Sequence, residues 1–146
     1  MQKDNRPFYI RILIERIYSF WIKKILVPQL KSVGKDLDIN RPWNIDIYGN
    51  KITLGNNVLI SPGVKILASK KIVIGSNVMI ASNVYISDSD WHETYDRVST
   101  PGPSKEVYIS ENAWIGEGSK ISKGVKIGKN SIIGLGSIVV SNVPDN

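Results

Sequence analysis

Large residues recur at every sixth position of this sequence from Tyr48 onward, a period that fits neither an α-helix nor an ordinary alternating strand. The series comprises Tyr48, Leu54, Ile60 and Ile66, then Ile74, Ile80 and Ile86, then Ile109, Ile115, Ile121, Ile127, Ile133 and Val139. Two positions before most of these residues stands a smaller or β-branched residue. Residues two apart point to one face of a strand, so each hexad predicts a very short strand with two inward side chains.

Turn-forming pairs separate these short strands. They include Asn56-Asn57, Pro62-Gly63, Ser76-Asn77, Ser82-Asn83, Glu111-Asn112, Glu117-Gly118, Lys123-Gly124 and Lys129-Asn130. Glycine and asparagine tolerate positive φ and therefore permit a tight corner. Such short strands and frequent corners exclude a β-sandwich. They predict an all-β parallel solenoid, in which three hexads form one triangular coil and successive coils stack about 4.8 Å apart.

The segment before the repeat carries the excess charge of the 146-residue chain, whose net charge is +6. Within residues 1–35, eight lysine and arginine residues stand against Asp4 and Glu15, whereas the remaining residues carry equal numbers of each sign. The high pI is therefore weak evidence for nucleic-acid binding, and we expect none. We divide the chain into a basic N-terminal segment, residues 1–35, and a β-helix domain, residues 36–146.

Residues 8–27 predict one helix that stops at Pro28. Its polar stripe is narrow and consists of Arg11, Glu15, Ser19 and Lys23, with Arg16 and Lys24 beside it. Charges interrupt any apolar run long enough to span a bilayer, and the segment lacks the cleavage site of a secretory signal. Two roles remain open. The helix caps the solenoid or packs against a partner subunit, or it lies on an anionic membrane with Phe8, Phe20 and Trp21 inserted.

A loop of residues 87–108 interrupts the repeat, because the step from Ile86 to Ile109 is 23. Long loops in compact folds are usually functional when they are ordered. This loop contains His92, the only histidine of the chain, within "SDSDWHETYDR". Neighbouring carboxylates can orient an imidazole and hold one tautomer, which makes His92 a candidate general base. The expected anchors and restraints of the loop are Trp91, Tyr95, Tyr108, Pro101 and Pro103.

The sequence contains no cysteine. Disulfides, thiolate metal sites and a cysteine nucleophile are therefore excluded. A reducing cytoplasm is compatible with this composition.

Several hexads, among them "LGNNVL", "IGSNVM", "ISENAW", "IGKNSI" and "IGLGSI", resemble those of the hexapeptide-repeat acyltransferases. The order of "DSDWHETYDR", "EVYISENAWIGEGSKI", "GVKIGKNSIIGLGSIVV" and "VPDN" is similar to that of the maltose, galactoside and surface-polysaccharide O-acetyltransferases. This resemblance implies a left-handed parallel β-helix, a homotrimer and acetyl-CoA as co-substrate, without a metal.

The resemblance also implies roles for individual residues. His92 corresponds to the catalytic base, with Asp90 as the orienting acid and Asp88 as the alternative. The acceptor is expected to contact Asp88, Trp91, Tyr95 and Arg97. The coenzyme is expected to contact Trp114, Gly116, Gly134, Leu135 and Ser137, with Gly136 beside them. Departures from the family pattern are Leu135 in place of an alanine and Val140 and Ser141 in place of a threonine and a lysine. Lys123 and Lys126 are candidate replacements at the phosphates.

The function that follows from this resemblance is acetyl-CoA-dependent O-acetylation of a sugar in lipopolysaccharide or capsule. The acceptor is then a sugar or a lipid-linked saccharide. The protein would work in the cytoplasm, either free or on the inner face of the membrane through residues 8–27. The alternative is a non-catalytic β-helix that serves as a scaffold or as a membrane-attached interaction module. A zinc carbonic anhydrase on this fold would need three histidine ligands, and one histidine per chain does not supply them.

Overall fold

The computed structural model describes residues 8–41, 44–98 and 102–146, apart from the side chains of Phe8 and Arg11. The charges of Lys3, Asp4 and Arg6, the membrane contact expected of the Phe8 side chain and the loop restraint expected of Pro101 lie outside these described residues.

One helix precedes a series of short strands. Helix α1 (Phe8–Leu26) leads into a 3-10 turn (Val27–Gln29) that contains Pro28. The strands are β1 (Ser32–Val33), β2 (Asp38–Ile39), β3 (Asp46–Tyr48), β4 (Ile52–Leu54), β5 (Leu59–Ile60), β6 (Lys65–Leu67), β7 (Ile72–Ile74), β8 (Met79–Ile80), β9 (Tyr85–Ser87), β10 (Val107–Ile109), β11 (Trp114–Ile115), β12 (Lys120–Ile121), β13 (Lys126–Ile127), β14 (Ile132–Ile133) and β15 (Ile138–Val139).

The strands form three parallel sheets of five strands each, which are the three sides of a solenoid. Their orders are β1-β4-β7-β10-β13, β2-β5-β8-β11-β14 and β3-β6-β9-β12-β15. Every third strand in the chain is thus a neighbour in space, as three hexads per coil predict. The fold is a left-handed parallel β-helix of about 5 turns with one N-terminal helix, which confirms the predicted fold class.

The inward ladders of the solenoid are the ones that the six-residue period predicts. From Leu54 to Val139 every large position of the series is buried, and Ile60, Ile66 and Ile80 are completely inaccessible. The smaller positions from Ile52 to Ser131 are buried as well. Parallel pairing keeps these side chains in register from coil to coil. The interior is therefore a stack of aliphatic layers that supports all three sides.

The first member of the predicted series was wrong by one residue. Tyr48 is 65% exposed, whereas Ile47 is 7% exposed and pairs in register with Ile66. Neighbouring strand residues point to opposite faces, so a shift of one position exchanges the inward and outward side chains. The solenoid also starts earlier than residue 36, because β1 at Ser32–Val33 pairs with β4.

The corners use the backbone conformation that the turn pairs predict. The second residue of each pair has positive φ, for example 58° at Asn77, 56° at Asn112 and 79° at Gly124. The asparagine side chains also stack between coils, as in the 3.0 Å hydrogen bond that Asn112 Nδ2 donates to Asn130 Oδ1. Asparagine is thus suited to these corners both by its backbone freedom and by its side-chain amide.

Helix α1 joins the solenoid through its C-terminal end. Leu26 and Leu30 belong to the buried core, and Ile22 packs partly against it. In the parts of the chain that the structure describes, no helix has the length and apolar character needed to cross a membrane.

Candidate active site

The interrupting loop leaves the solenoid after β9 and returns at β10. Asp88, the first residue after β9, is completely buried. Its carboxylate accepts hydrogen bonds from the backbone N–H groups of Ser69, Lys70 and Lys71, at 2.7, 2.8 and 2.6 Å. This use of the carboxylate corrects the expectation that Asp88 contacts the acceptor, because its oxygens are already occupied by the corner of the preceding coil.

Trp91 is held in a fixed position at the start of the loop. Its indole Nε1–H donates to Ser87 Oγ at 3.1 Å, and its backbone N–H donates to Ser89 Oγ at 2.9 Å. Its φ of 66° lies in the left-handed region, which costs free energy for a bulky residue. Trp91 therefore anchors the loop, and its strained backbone directs the chain at the next residue, His92.

His92 is exposed, and its ring has a defined hydrogen-bond partner. Nδ1 lies 2.8 Å from the backbone carbonyl oxygen of Arg97. A carbonyl oxygen only accepts, so Nδ1 carries the proton and donates. In the neutral ring Nε2 is then the unprotonated nitrogen, which is the state that a general base needs.

The carboxylate expected to orient His92 has another partner. Asp90 forms an ion pair with Lys123, which lies in the corner of the following coil. Its backbone N–H donates to the carbonyl oxygen of Pro103 at 3.1 Å. The orienting role assigned to Asp90 is filled by the Arg97 carbonyl, and Asp90 instead ties the two arms of the loop to the solenoid. Lys123, a candidate for the coenzyme phosphates, is engaged in the same pair.

Gly102 packs directly against the backbone of His92. A Cβ atom built on this buried glycine would lie 2.2 Å from the carbonyl oxygen of His92 and 2.6 Å from its nitrogen. Only glycine allows this approach, because Cβ atoms do not come so close to backbone atoms in real structures. The returning arm of the loop thus packs against the backbone of His92 and restricts its position.

An open pocket brings the histidine together with polar side chains. It is lined by Asp90, His92, Glu93, Thr94 and Arg97. Tyr95 points into solvent and is fully exposed in the single chain. Of the residues expected to contact the acceptor, the structure places only Arg97 beside His92 in this pocket.

The residues expected at the coenzyme lie on the later coils. Trp114 is 47% exposed on the outer face of β11, between Met79 and Ile132 of the adjacent strands, which are also exposed. Leu135 is 84% exposed at a corner, with Gly134 and Gly136 on either side. These side chains give an accessible apolar surface on the later coils.

Gly116 and Ser137 have structural explanations in the solenoid itself. A Cβ at Gly116 would lie 2.6 Å from the carbonyl oxygen of Ile133, so the stacked coil requires glycine there. Ser137 Oγ donates to the carbonyl oxygen of Gly134 at 2.7 Å, within its own corner. Both residues shape the backbone beside the exposed Leu135.

The comparisons with known proteins point to one family. A family model described as bacterial transferase hexapeptide (six repeats) matches residues 106–140. A maltose O-acetyltransferase from Clostridium difficile 630 is 31% identical, with a TM-score of 0.75 and coverage of 93% of this chain and 81% of that one. The chain belongs to the hexapeptide-repeat acyltransferases. It is accordingly an acyltransferase.

Two further structures extend the likeness to this hexapeptide-repeat acyltransferase. A galactoside acetyltransferase in complex with coenzyme A is 28% identical, with a TM-score of 0.73 and coverage of 98% of this chain and 67% of that one. A hexapeptide-repeat-containing acetyltransferase from Vibrio cholerae O1 biovar eltor, complexed with acetyl coenzyme A, shares the fold at 22% identity, a TM-score of 0.76 and coverage of 90% and 70%. Among curated protein sequences, none matches the chain.

A second polar cluster of this acyltransferase lies where the loop returns to the solenoid. The hydroxyl of Tyr108 donates to the carboxylate of Glu106, and this contact, followed by the charge of Lys71, lowers the pKa of Glu106. Lys71 Nζ donates to the Tyr108 hydroxyl at 2.9 Å, which with the nearby Glu106 carboxylate raises the pKa of Lys71. Lys126 Nζ lies 5.8 Å from the centroid of the Tyr108 ring. The cluster fastens the loop end by charged contacts.

Within the described residues, no group of histidine, cysteine, aspartate or glutamate side chains is arranged to hold a metal ion. The residues that sequence reasoning missed are Ser87, Gly102 and the Arg97 carbonyl. Ser87 and Gly102 are small residues whose importance comes from contacts across the loop. A backbone carbonyl carries no sequence signal at all.

Proposed function

We propose that this acyltransferase transfers the acetyl group of acetyl-CoA to a hydroxyl group of a sugar in a surface polysaccharide, with His92 as the general base. The observation that carries the proposal is the hydrogen bond from His92 Nδ1 to the Arg97 carbonyl. It leaves Nε2 as an acceptor on an exposed ring within a polar pocket. The hydrogen bond therefore favours the tautomer of the neutral ring that the chemistry requires, with Nε2 free to accept a proton.

The transfer needs no covalent intermediate. Nε2 of His92 takes the proton of the acceptor hydroxyl as its oxygen attacks the carbonyl carbon of the thioester. The new C–O bond forms, the C–S bond breaks, and the imidazolium returns the proton to the departing thiolate. An imidazole suits both steps because it exchanges protons near neutral pH.

Two observations support a sugar as the acceptor. The relatives with the higher identities are a maltose O-acetyltransferase and a galactoside acetyltransferase. The pocket also offers a guanidinium, two carboxylates and a hydroxyl from Arg97, Asp90, Glu93 and Thr94. Such a set of donors and acceptors matches the hydroxyl groups of a saccharide. We assign Arg97 and Tyr95 to acceptor binding, and Trp91 to the support of His92.

The acetyl-CoA thioester must reach Nε2 of His92. We propose that a neighbouring subunit completes the binding site for the coenzyme. The outer face of the sheet containing β11 exposes Met79, Trp114 and Ile132 as one apolar ladder. Exposed apolar ladders of this kind are typical of an interaction surface. We propose a homotrimer in which this face contacts the next subunit and the pantetheine arm lies along Trp114 and Leu135.

The test is an acetyltransferase assay that measures release of the coenzyme thiol with a panel of nucleotide sugars and lipid-linked oligosaccharides. We expect saturable turnover with at least one saccharide, and a loss of about 10²–10⁴-fold in kcat for His92→Ala. Val98→Ala is the matched control, because Val98 is 91% exposed in the same loop and lies outside the pocket lining. Full activity of His92→Ala would remove His92 from the mechanism.

Calorimetric titration with acetyl-CoA separates catalysis from a scaffold role. An active enzyme should bind acetyl-CoA saturably, and Trp114→Ala should weaken that binding by about tenfold through loss of an aromatic contact. Absence of any saturable heat in the wild-type protein would contradict the proposal. Size-exclusion chromatography with light scattering tests the trimer directly.

A further inference from the structure

Helix α1 packs on the core through Ile22 and Leu26 near its C-terminal end, whereas Glu15 and Ser19 earlier in the helix also face the solenoid. Glu15 Oε1 lies 3.4 Å from Arg41 Nε, in the corner that follows β2. Ile12, Glu15 and Ser19 face residues 38–41 across a shallow pocket. Two residues of the polar stripe, Glu15 and Ser19, are therefore directed toward the protein.

The opposite side of the helix carries large apolar residues. We call this surface the outer stripe, and it consists of Ile10, Leu13, Ile17, Phe20 and Trp21. The side chains of these residues are between 46% and 58% exposed. Residues three and four apart share a helix face, so the outer stripe is continuous along the helix. A contiguous apolar patch of this size on a protein surface marks an interaction site.

The charges around the outer stripe are positive. Lys24 Nζ lies 4.9 Å from the ring centroid of Phe20 and 5.6 Å from that of Trp21. Glu15 is the only acidic residue between positions 8 and 35, and it faces Arg41 rather than the outer stripe. The partner of this surface should therefore combine an apolar layer with negative charge.

We propose that the outer stripe binds the surface of an anionic lipid bilayer and holds the enzyme there as a peripheral membrane protein. A 19-residue helix is about 28 Å long and can lie in the plane of the membrane, with its apolar side among the acyl chains. Phe20 and Trp21 suit the level of the headgroups, and Lys24 reaches the lipid phosphates. This inference is independent of the acceptor proposed above.

A second copy of the chain fits the outer stripe less well. The cores of protein interfaces are depleted in lysine, whereas Lys24 lies over the two aromatic rings of the stripe. Tryptophan, phenylalanine and lysine together on one side of a helix are the composition of interfacial membrane helices. Charge complementarity therefore favours lipid over a subunit contact.

The experiment is co-sedimentation of the full chain with vesicles of neutral phosphatidylcholine and with vesicles that contain about one third phosphatidylglycerol. We expect binding to the anionic vesicles that weakens with added salt, and much weaker binding to neutral ones. Equal binding to both compositions, or no binding to either, would overturn the proposal.

Variants test whether the outer stripe is responsible for vesicle binding. The triple substitution Leu13→Gln, Ile17→Gln and Trp21→Gln should reduce vesicle partitioning at least tenfold, and Lys24→Gln should reduce it roughly fivefold. Val140→Gln and Lys65→Gln are the matched controls, because they remove an exposed apolar side chain and an exposed charge from the solenoid. Wild-type partitioning of the triple variant would overturn the proposal.

Light scattering on the same samples distinguishes a lipid surface from a second copy of the chain as the partner of the outer stripe. If the oligomeric state of the triple variant differs from that of the wild type, and the wild-type protein does not bind vesicles, the outer stripe is a subunit interface and the lipid proposal is wrong. An unchanged oligomeric state with loss of vesicle binding supports it. The single variant Trp21→Gln should stay folded, because the side chain of Trp21 is exposed. Circular dichroism checks its fold, and its vesicle binding is then compared with that of the wild-type protein.

Discussion

The imidazole of His92 is oriented by the backbone of Arg97, five residues later in the same loop, through a hydrogen bond of 2.8 Å from Nδ1 to the carbonyl oxygen. The interaction fixes the tautomer without a carboxylate. The conformation of residues 92–97 thus determines which nitrogen of the neutral ring carries the proton. The shape of the loop, rather than an acidic side chain, is thus responsible for the tautomer that leaves Nε2 as an acceptor.

Substitution of Arg97 should separate its backbone role from its side-chain role. Arg97→Ala retains the carbonyl oxygen that accepts from His92, so we expect kcat to stay within about threefold of the wild-type value. Loss of the guanidinium from the pocket should raise KM for the acceptor by about tenfold. Steady-state kinetics at varied acceptor concentration check this. A large fall in kcat with an unchanged KM would show that the side chain itself acts in the chemical step.

Substitution of Gly102 should displace the catalytic histidine while the solenoid stays intact. Gly102→Ala would place a methyl group against the backbone of His92, so this part of the loop must shift. A displacement of about 1 Å can cost on the order of 10²-fold in rate, and we expect kcat to fall at least tenfold. Pro103→Ala, at an exposed neighbouring position, is the control. Equal activities of the two variants would contradict the prediction.

The solenoid was predictable from the sequence because its contacts repeat the local pattern. Each hexad places its own two residues inward, so the positions of Ile60, Ile80 and Ile115 follow from periodicity alone. The error at Tyr48 arose at the edge of the repeat, where a single hexad did not fix the phase. Pairing of β3 with β6 in the neighbouring coil makes Ile47, rather than Tyr48, the inward side chain.

The site was predictable only in part, since the loop does not follow the period. His92 could be found as the only histidine in the interruption. The hydrogen-bond partners of Asp88 could not be predicted, because they are backbone N–H groups 17 to 19 residues away, which carry no sequence signal. The orientation of helix α1 was also hidden, because amphipathicity identifies two faces without showing which one meets the protein.

Loss of the Asp88 carboxylate should affect stability first. Asp88→Ala would leave three backbone N–H groups of a buried corner without their acceptor, and we expect the free energy of unfolding to fall by about 3 kcal/mol or more. Asp88→Asn keeps one acceptor oxygen and should cost less. Urea denaturation measures both. If Asp88→Ala keeps wild-type stability and instead raises KM for the acceptor, Asp88 contacts the acceptor, as the sequence predicted.

The Glu106 carboxylate should make a contribution to stability that depends on pH. Its pKa is lowered in the folded state, mainly by the hydrogen bond from Tyr108 and then by Lys71. Folding therefore favours the ionised form, and this contribution is present above the ordinary pKa of 4.5 and is lost as the pH falls through the lower folded pKa. Glu106→Gln should be less stable than the wild type at pH 7, and the difference should shrink below about pH 4. Denaturant midpoints at the two pH values test this, and a difference that grows in acid would have the wrong sign.

The ion pair between Asp90 and Lys123 should act on catalysis only by holding the loop. Asp90→Asn and Lys123→Gln remove the same contact from opposite ends, so we expect similar, modest reductions in kcat and no further loss in the double variant. The coupling should correspond to about 0.2–1 kcal/mol, as for exposed pairs, because the side chain of Asp90 is 48% exposed. A double-mutant cycle on kcat measures it. If Asp90→Asn alone abolishes turnover while Lys123→Gln is nearly neutral, Asp90 takes part in proton transfer and its role is not confined to holding the loop.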